Sequence, residues 1–122
     1  MSLKSLNPGV VNITCHRGAS FHRSITGITV DSLALDITSM DIEMQVRAKK
    51  SSTDTIVSLD NDTLGGITIT DGSLGAFDID LTPSQTSDLD EGSFYYDIKI
   101  SDSTEAARVL EGTFTVDPEV TR

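Results

Sequence analysis

The sequence predicts an all-β protein, an antiparallel sandwich or barrel of seven to eight strands with one short helix. Short segments in which apolar and polar residues alternate recur along the chain, and clusters of turn-forming residues separate them. Only one segment carries the start signals of a helix. The 122 residues suit a single domain that can bury a core without disulfide support.

Eight segments are predicted as strands from this alternation. In chain order they are 10–16, 20–30, 41–48, 54–60, 66–70, 76–81, 89–101 and 108–117. The clearest is 89–101, where one face carries Phe94, Tyr96, Ile98 and Ile100 and the other carries Ser93, Tyr95, Asp97 and Lys99. Because successive strand residues point to opposite faces, the first set is predicted to lie in the core.

The helix is predicted at 83–89. Thr82 suits the N-cap, Pro83 the first helical position and Gln85 the reciprocal bond of a capping box. Gly92 can adopt the left-handed conformation that caps a helix end. The segment 103–110 could form a second helix, but its later residues fit a strand, so a hairpin turn is predicted at 102–106.

The residues around this helix favour an immunoglobulin-like β-sandwich over 13–117. In such sandwiches a short helix crosses between the sheets and an aromatic residue anchors the next strand. Phe94 stands where that fold usually has a tyrosine, so the usual hydroxyl bond is not expected, and Tyr96 fills an inward position. These two and Phe114 are the predicted corner and core anchors. Gly112, in mid-strand, predicts a bulge or the close approach of another backbone.

The charge distribution bears on possible partners. The net charge is −10; residues 1–50 hold six Lys/Arg against four Asp/Glu, and residues 51–122 hold three against fifteen. A strongly acidic chain repels phosphates, so nucleic acid is not an expected partner. One interpretation of this charge distribution is that the negative excess favours solubility. The alternative is that the mildly basic first part docks on an acidic neighbour such as another copy.

No segment resembles a signal peptide or a membrane span, so a soluble protein without a membrane partner is expected. The single cysteine, Cys15, cannot form an intramolecular disulfide. Its segment predicts a strand, which favours a core or edge thiol. A catalytic thiol is the alternative, although the adjacent His16 would point to the opposite face.

Few residues suggest chemistry, so we expect a non-enzymatic protein with no catalytic residue, cofactor or metal. His16 and His22 lack a second pair of ligands, which makes them weak zinc candidates and favours rim positions. Asp78 and Asp80 are expected side by side on a solvated sheet face. The segment 58–66 is interpreted as a polar hairpin loop, with a loop calcium site as the alternative.

An ordered set of motifs over residues 13–122 resembles a family of small tailed-phage and prophage virion proteins. The motifs lie at Arg17–Phe21, Leu35–Thr38, Gln45–Arg47, Gly65–Ile67, Leu81–Thr86, Gly92–Asp97 and Glu111–Arg122. The chain departs from the family pattern at Ala19, usually Asp, and at Phe94, usually Tyr. The family is similar to the N-terminal immunoglobulin-like domain of phage upper-baseplate proteins.

This resemblance implies a virion structural protein, made in the bacterial host cytoplasm, that contacts other virion proteins as a homo-oligomer or in many copies. A tail or baseplate adaptor is expected first. The alternatives are a capsid decoration protein and a carbohydrate-binding sandwich that uses Tyr95. The N-terminal arm, 1–12, is either a docking segment or a frayed end, and 118–122 forms a tail. The candidate docking residues are Leu3, Leu6, Pro8, Val10 and Val11.

Overall fold

Two β-sheets face each other across an apolar core in the computed structural model, which describes residues 8–118. The strands are β1 (Gly9–Val10), β2 (Ile13–His16), β3 (Phe21–Ile25), β4 (Thr29–Val30), β5 (Leu33–Ala34), β6 (Asp41–Arg47), β7 (Val57–Asp60), β8 (Ile67–Asp71), β9 (Ala76–Leu81), β10 (Gly92–Ser101) and β11 (Ala106–Asp117). Helix α1 spans Pro83–Ser87, and a 3-10 turn spans Gly72–Leu74. The predicted all-β sandwich is confirmed.

The strand order is that of an immunoglobulin-like sandwich. The larger sheet runs β1-β11-β10-β6-β7, with β2 following β1 along the same edge of β11. The smaller sheet runs β3-β9-β8, and β4 and β5 form a separate hairpin. If β1 and β2 count as one interrupted strand, the two main sheets hold eight strands. One feature differs from the predicted antiparallel arrangement: β1 and β2 pair with β11 in parallel.

The core contains the inward rows of both sheets. Tyr96, Ile98 and Ile100 of β10 are buried, as the alternation predicts, and Phe94 packs against their cluster while partly exposed. The rings of Phe21 and Phe114 meet edge to face with centroids 6.1 Å apart, which links the smaller sheet to the larger. Burying each such side chain contributes about 2 kcal/mol.

The first strand is interrupted opposite Gly112. A Cβ atom at Gly112 would overlap the carbonyl oxygen of Val11, so the predicted close approach of another backbone is confirmed. That carbonyl accepts a 2.6 Å hydrogen bond from the Tyr96 hydroxyl, and the Val11 amide donates to Glu111 at 3.0 Å. Strand β1 pairs with β11, so the last part of the predicted arm lies on the edge of the sheet.

The helix is capped as its sequence predicts but is shorter. Thr82 Oγ1 accepts from the Gln85 amide at 3.1 Å, and Gln85 Oε1 accepts from the Thr82 amide at 2.8 Å. The helix ends at Ser87 with Asp88 as C-cap, because the next residue, Leu89, turns into the core. The prediction that Gly92 caps the helix is therefore wrong, because Gly92 is the first residue of β10.

Two further segments bear on the sequence expectation, one that differs from it and one that agrees with it. The predicted strand 20–30 is split into β3 and β4, because the intervening Gly27 has a left-handed φ of 76°. The hairpin turn at 102–106 is confirmed: Asp102 Oδ1 accepts from the amides of Thr104 at 2.8 Å and Glu105 at 2.7 Å. These bonds lower the pKa of Asp102.

Candidate interaction surface

The outer side of the larger sheet presents a cluster of cations around an exposed tyrosine. We call Arg47, Lys50, Tyr95, Lys99 and Arg108 the cationic face. Pairing of β6, β10 and β11 builds it: Tyr95 lies directly opposite Arg47, and Lys99 lies opposite Arg108. These residues belong to three strands and one turn, so only the sheet register brings them together.

The cationic face differs in charge from the rest of the molecule. Together with Gln45, Tyr96, Asp97 and Glu111, its residues line a depression of about 280 Å³. Four cations and two carboxylates give this lining a formal charge of +2, whereas the whole chain carries −10. The face is therefore a local positive patch on an acidic protein, the charge pattern that an acidic partner surface complements.

Arg108 links the carboxylates of the face. Asp97 and Glu111 are cross-strand neighbours, an unfavourable pairing of like charges. Arg108 Nε lies 3.2 Å from Asp97 Oδ2, and its Nη1 lies 3.4 Å from Glu111 Oε1. Because Arg108 and Asp97 are exposed and Glu111 is only partly buried, the ion pairs contribute little stability and act mainly to fix the position of the guanidinium.

Arg47 supports the turn that carries Lys50. Its Nη1 donates to the Ser52 carbonyl at 2.9 Å, and its Nη2 donates to Gln45 Oε1 at 2.7 Å. The Lys50 Nζ lies 5.9 Å from the centroid of the Tyr95 ring, within the range of a cation–π contact. Tyr95 is 41% exposed, so part of its side chain is accessible to a partner.

The predicted anchor residues lie inside the sandwich. Phe114 and Tyr96 are buried, and Phe94 is partly buried at the start of β10. Phe94 has no hydroxyl to make the hydrogen bond usual at that corner. The hydroxyl of Tyr96 instead donates a hydrogen bond to the carbonyl of Val11, between β1 and β2. Burial raises the pKa of Tyr96 to about 12, although the charge of Arg23 opposes this shift.

The predicted arm is only partly within the described residues. Leu3 and Leu6 lie outside them, whereas Pro8 and Val10 are exposed and Val11 packs against the core. The side chain of Val10 is 73% exposed. Its role in docking stays a prediction.

Cys15 and His16 point in opposite directions, as the strand pattern predicts. Cys15 is fully buried, and burial raises the pKa of its thiol, which disfavours the reactive thiolate. His16 faces solvent, where its Nδ1 lies 3.4 Å from Asp117 Oδ2. The two side chains therefore do not form a thiolate–imidazole pair in this arrangement.

The loop that could hold calcium uses its first acid internally. Asp60 Oδ1 accepts from the amides of Asp62 and Leu64, both at 2.9 Å, and of Gly65 at 3.2 Å. The first of these bonds is the largest cause of the lowered pKa of Asp60. This geometry favours a polar loop of turn-forming residues over the calcium site, but the loop is not the predicted hairpin, because β7 and β8 belong to different sheets.

His22 lies on the outer side of the smaller sheet, beside Asp78 and Asp80. Its Nδ1 is 2.7 Å from Asp80 Oδ1, and its Nε2 is 3.3 Å from the Ser24 hydroxyl. This connectivity is that of a serine–histidine–aspartate relay, but the Ser24 hydroxyl donates to Asp78 Oδ1 at 2.8 Å instead. Within residues 8–118, one group of three or more His, Cys, Asp or Glu side chains has ligand atoms close enough to share a metal ion. Its members are His22, Asp78 and Asp80.

Sequence reasoning located these two surfaces only in part. It placed Asp78 and Asp80 together from their spacing but could not place His22 beside them, and it selected Tyr95 without its surrounding cations.

No protein-family model matches the chain, and no curated protein matches it. None of the helices in the described part of the chain has the length and apolar character needed to cross a membrane.

Proposed function

We propose that this chain is a non-enzymatic structural protein of a tailed-phage virion, where its cationic face contacts an acidic surface of a neighbouring virion protein. The observation that carries the contact is the positive, tyrosine-centred lining on a chain of net charge −10. The ordered family motifs support the virion setting.

A second copy of the chain is one such acidic neighbour. The cationic face of one copy fits the acidic remainder of the next, a head-to-tail contact that forms a ring or filament rather than a symmetric dimer. Many weak contacts of this kind hold an assembly together through multivalency. Such charge-based contacts weaken as ionic strength rises.

The first experiment tests the virion role. Phage particles are purified from the bacterium that encodes the chain, and mass spectrometry and immunogold electron microscopy locate the protein. Label at the tail tip supports a tail or baseplate adaptor, whereas label over the whole head supports the capsid decoration alternative. Absence of the protein from purified particles would overturn the proposal.

The second experiment tests the cationic face. The double variant Lys99→Gln/Arg108→Gln removes two of its charges, and Arg17→Gln/Arg23→Gln makes the same change in net charge elsewhere. We expect the first variant to lose incorporation into particles and low-salt self-association in sedimentation velocity, while the second retains both. Equal losses in both variants would show that net charge alone, and not this surface, is responsible.

A second candidate function, carbohydrate binding, is favoured by the exposed Tyr95 ring beside the polar side chains of Gln45 and Asp97. Lys50 above that ring opposes it, because the ammonium group occupies a position where a sugar would stack. A glycan array distinguishes the two. Binding that disappears in Tyr95→Ala would favour the carbohydrate function, and an array without signal would remove it.

A further inference from the structure

The pairing of β3 with β9 places three metal-type ligands on one solvent-facing patch. His22 lies directly opposite Asp80, and Ser24 lies directly opposite Asp78, on the outer side of the smaller sheet. Strand β9 is the central strand of that sheet, with hydrogen-bonded neighbours on both sides. The backbone positions of the ligands are therefore fixed by the fold rather than by a loop.

The ligand atoms are close enough to share one ion. An imidazole nitrogen of His22 and one oxygen each from Asp78 and Asp80 all lie within 4.8 Å of one another. Ligands about 2.1 Å from a tetrahedral metal ion lie about 3.4 Å apart, so small side-chain rotations complete the geometry. Such rotations are available, because the side chains of His22 and Asp80 are 58% and 53% exposed.

The charge of this patch also favours a cation. Asp78 and Asp80 share one face of β9, and within residues 8–118 neither forms an ion pair with a lysine or arginine. Asp80 has His22 as its charged partner only when the imidazole is protonated. A divalent ion bound between the three groups would compensate both carboxylates at once.

We propose that His22, Asp78 and Asp80 form a binding site for a divalent transition-metal ion, with zinc as the first probe. Imidazole together with carboxylate suits zinc and its neighbours in the first transition series, whereas magnesium and calcium prefer oxygen ligands alone. Three protein ligands leave at least one coordination position for water or another ligand. Because the patch is on the opposite sheet from the cationic face, this site does not depend on the proposed function.

The test is calorimetric titration of zinc into full-length protein that has been freed of metal with EDTA and exchanged into chelator-free buffer. We expect one zinc ion per chain, a raised melting temperature in its presence, and no competition from millimolar magnesium. His22→Ala and Asp80→Asn are each expected to weaken binding about tenfold or more. His16→Ala is the matched control, because His16 has one carboxylate, Asp117, as its ion-pair partner in the described chain.

Circular dichroism of each variant separates lost ligands from lost folding, and the exposure of His22 and Asp80 makes their replacement compatible with the fold. In addition, zinc should shift the ring resonances of His22 more than those of His16 in NMR spectra of the wild-type protein. Absence of zinc binding, an equal loss in His16→Ala and His22→Ala, or equal competition by magnesium would each overturn the proposal.

Discussion

The outer faces of the two sheets arise from the same alternation of residues but arrange their charges differently. On the larger sheet, Arg108 lies between two carboxylates and Arg47 is held by hydrogen bonds, so cations and anions are interleaved. On the smaller sheet, Asp78 and Asp80 have hydroxyl and imidazole partners instead. Alternation determines which side chains meet solvent, whereas strand register determines which charges meet each other.

The two sheets also differ in how their edges are supported. The larger sheet has β1 and β2 along the side of β11, held by the Tyr96–Val11 hydrogen bond and by the space at Gly112. Strand β11 in turn carries Arg108. Disturbing this edge should therefore affect the cationic face first and the His22 patch last.

The largest effect is expected for Gly112→Ala. The new methyl group meets the backbone of Val11, which cannot move without releasing β1 and β2 from the sheet. We expect a loss of about 2–3 kcal/mol in the free energy of unfolding, measured with chemical denaturant. Hydrogen exchange should show lower amide protection in β11 while β9 remains protected; equal loss in both strands would contradict the separation between the sheets.

A smaller effect is expected for Tyr96→Phe. This change removes the 2.6 Å hydroxyl bond and leaves the Val11 carbonyl without that donor, which should cost about 1.5 kcal/mol of unfolding free energy. Tyr95→Phe is the matched control on the neighbouring, exposed position and should change stability by less than about 0.5 kcal/mol. Equal effects of the two substitutions would mean that the edge bond does not stabilise the fold.

The Tyr95→Phe variant also isolates the ionisation of the buried phenol. Its remaining tyrosine, Tyr96, has a pKa raised to about 12 by burial, so phenolate absorbance should appear near that pH while the fold persists. The folded-state pKa exceeds the unfolded value of about 10. The contribution of the protonated phenol to the free energy of unfolding should therefore be fully present below pH 10 and should decrease as the pH rises toward 12. Phenolate absorbance in folded protein near pH 10 would contradict this expectation.

The smallest effect concerns His22 in metal-free protein. Its pKa is raised, mainly by the hydrogen bond to Asp80 and further by the charges of both nearby carboxylates. The stabilisation is therefore present below the unfolded pKa of about 6.5 and lost as the pH rises through the higher folded value. Melting temperatures with EDTA should fall slightly more for wild type than for His22→Gln over that range, and parallel profiles would show that the pair is not coupled to folding.

The sequence was sufficient for the parts of the fold that depend on local patterns. Alternation located the inward row of β10, and the Thr82–Gln85 capping box located the start of the helix. The helix end was placed too late, because burial of Leu89 outweighed the available glycine cap. The break between β3 and β4 was missed, since apolar residues continue on both sides of Gly27.

The candidate sites depended on contacts that spacing cannot reveal. His22 and Asp80 are 58 residues apart in sequence and meet only through strand register. Likewise, Arg47 and Tyr95 become neighbours only once β6 pairs with β10. The dual use of Tyr96, as core aromatic and as donor to the edge strand, required the position of Val11, 85 residues away.

The parallel entry of β1 has a practical consequence for labelling and fusion. Gly9 lies beside Leu110, two residues along β11 from Arg108, so the first described strand lies close to the cationic face. Asp117, where β11 ends, lies seven residues farther along, roughly 23 Å at the usual rise of an extended strand. An affinity tag or fluorophore joined after the last strand should leave binding through that face intact, whereas one joined close to Gly9 should obstruct it.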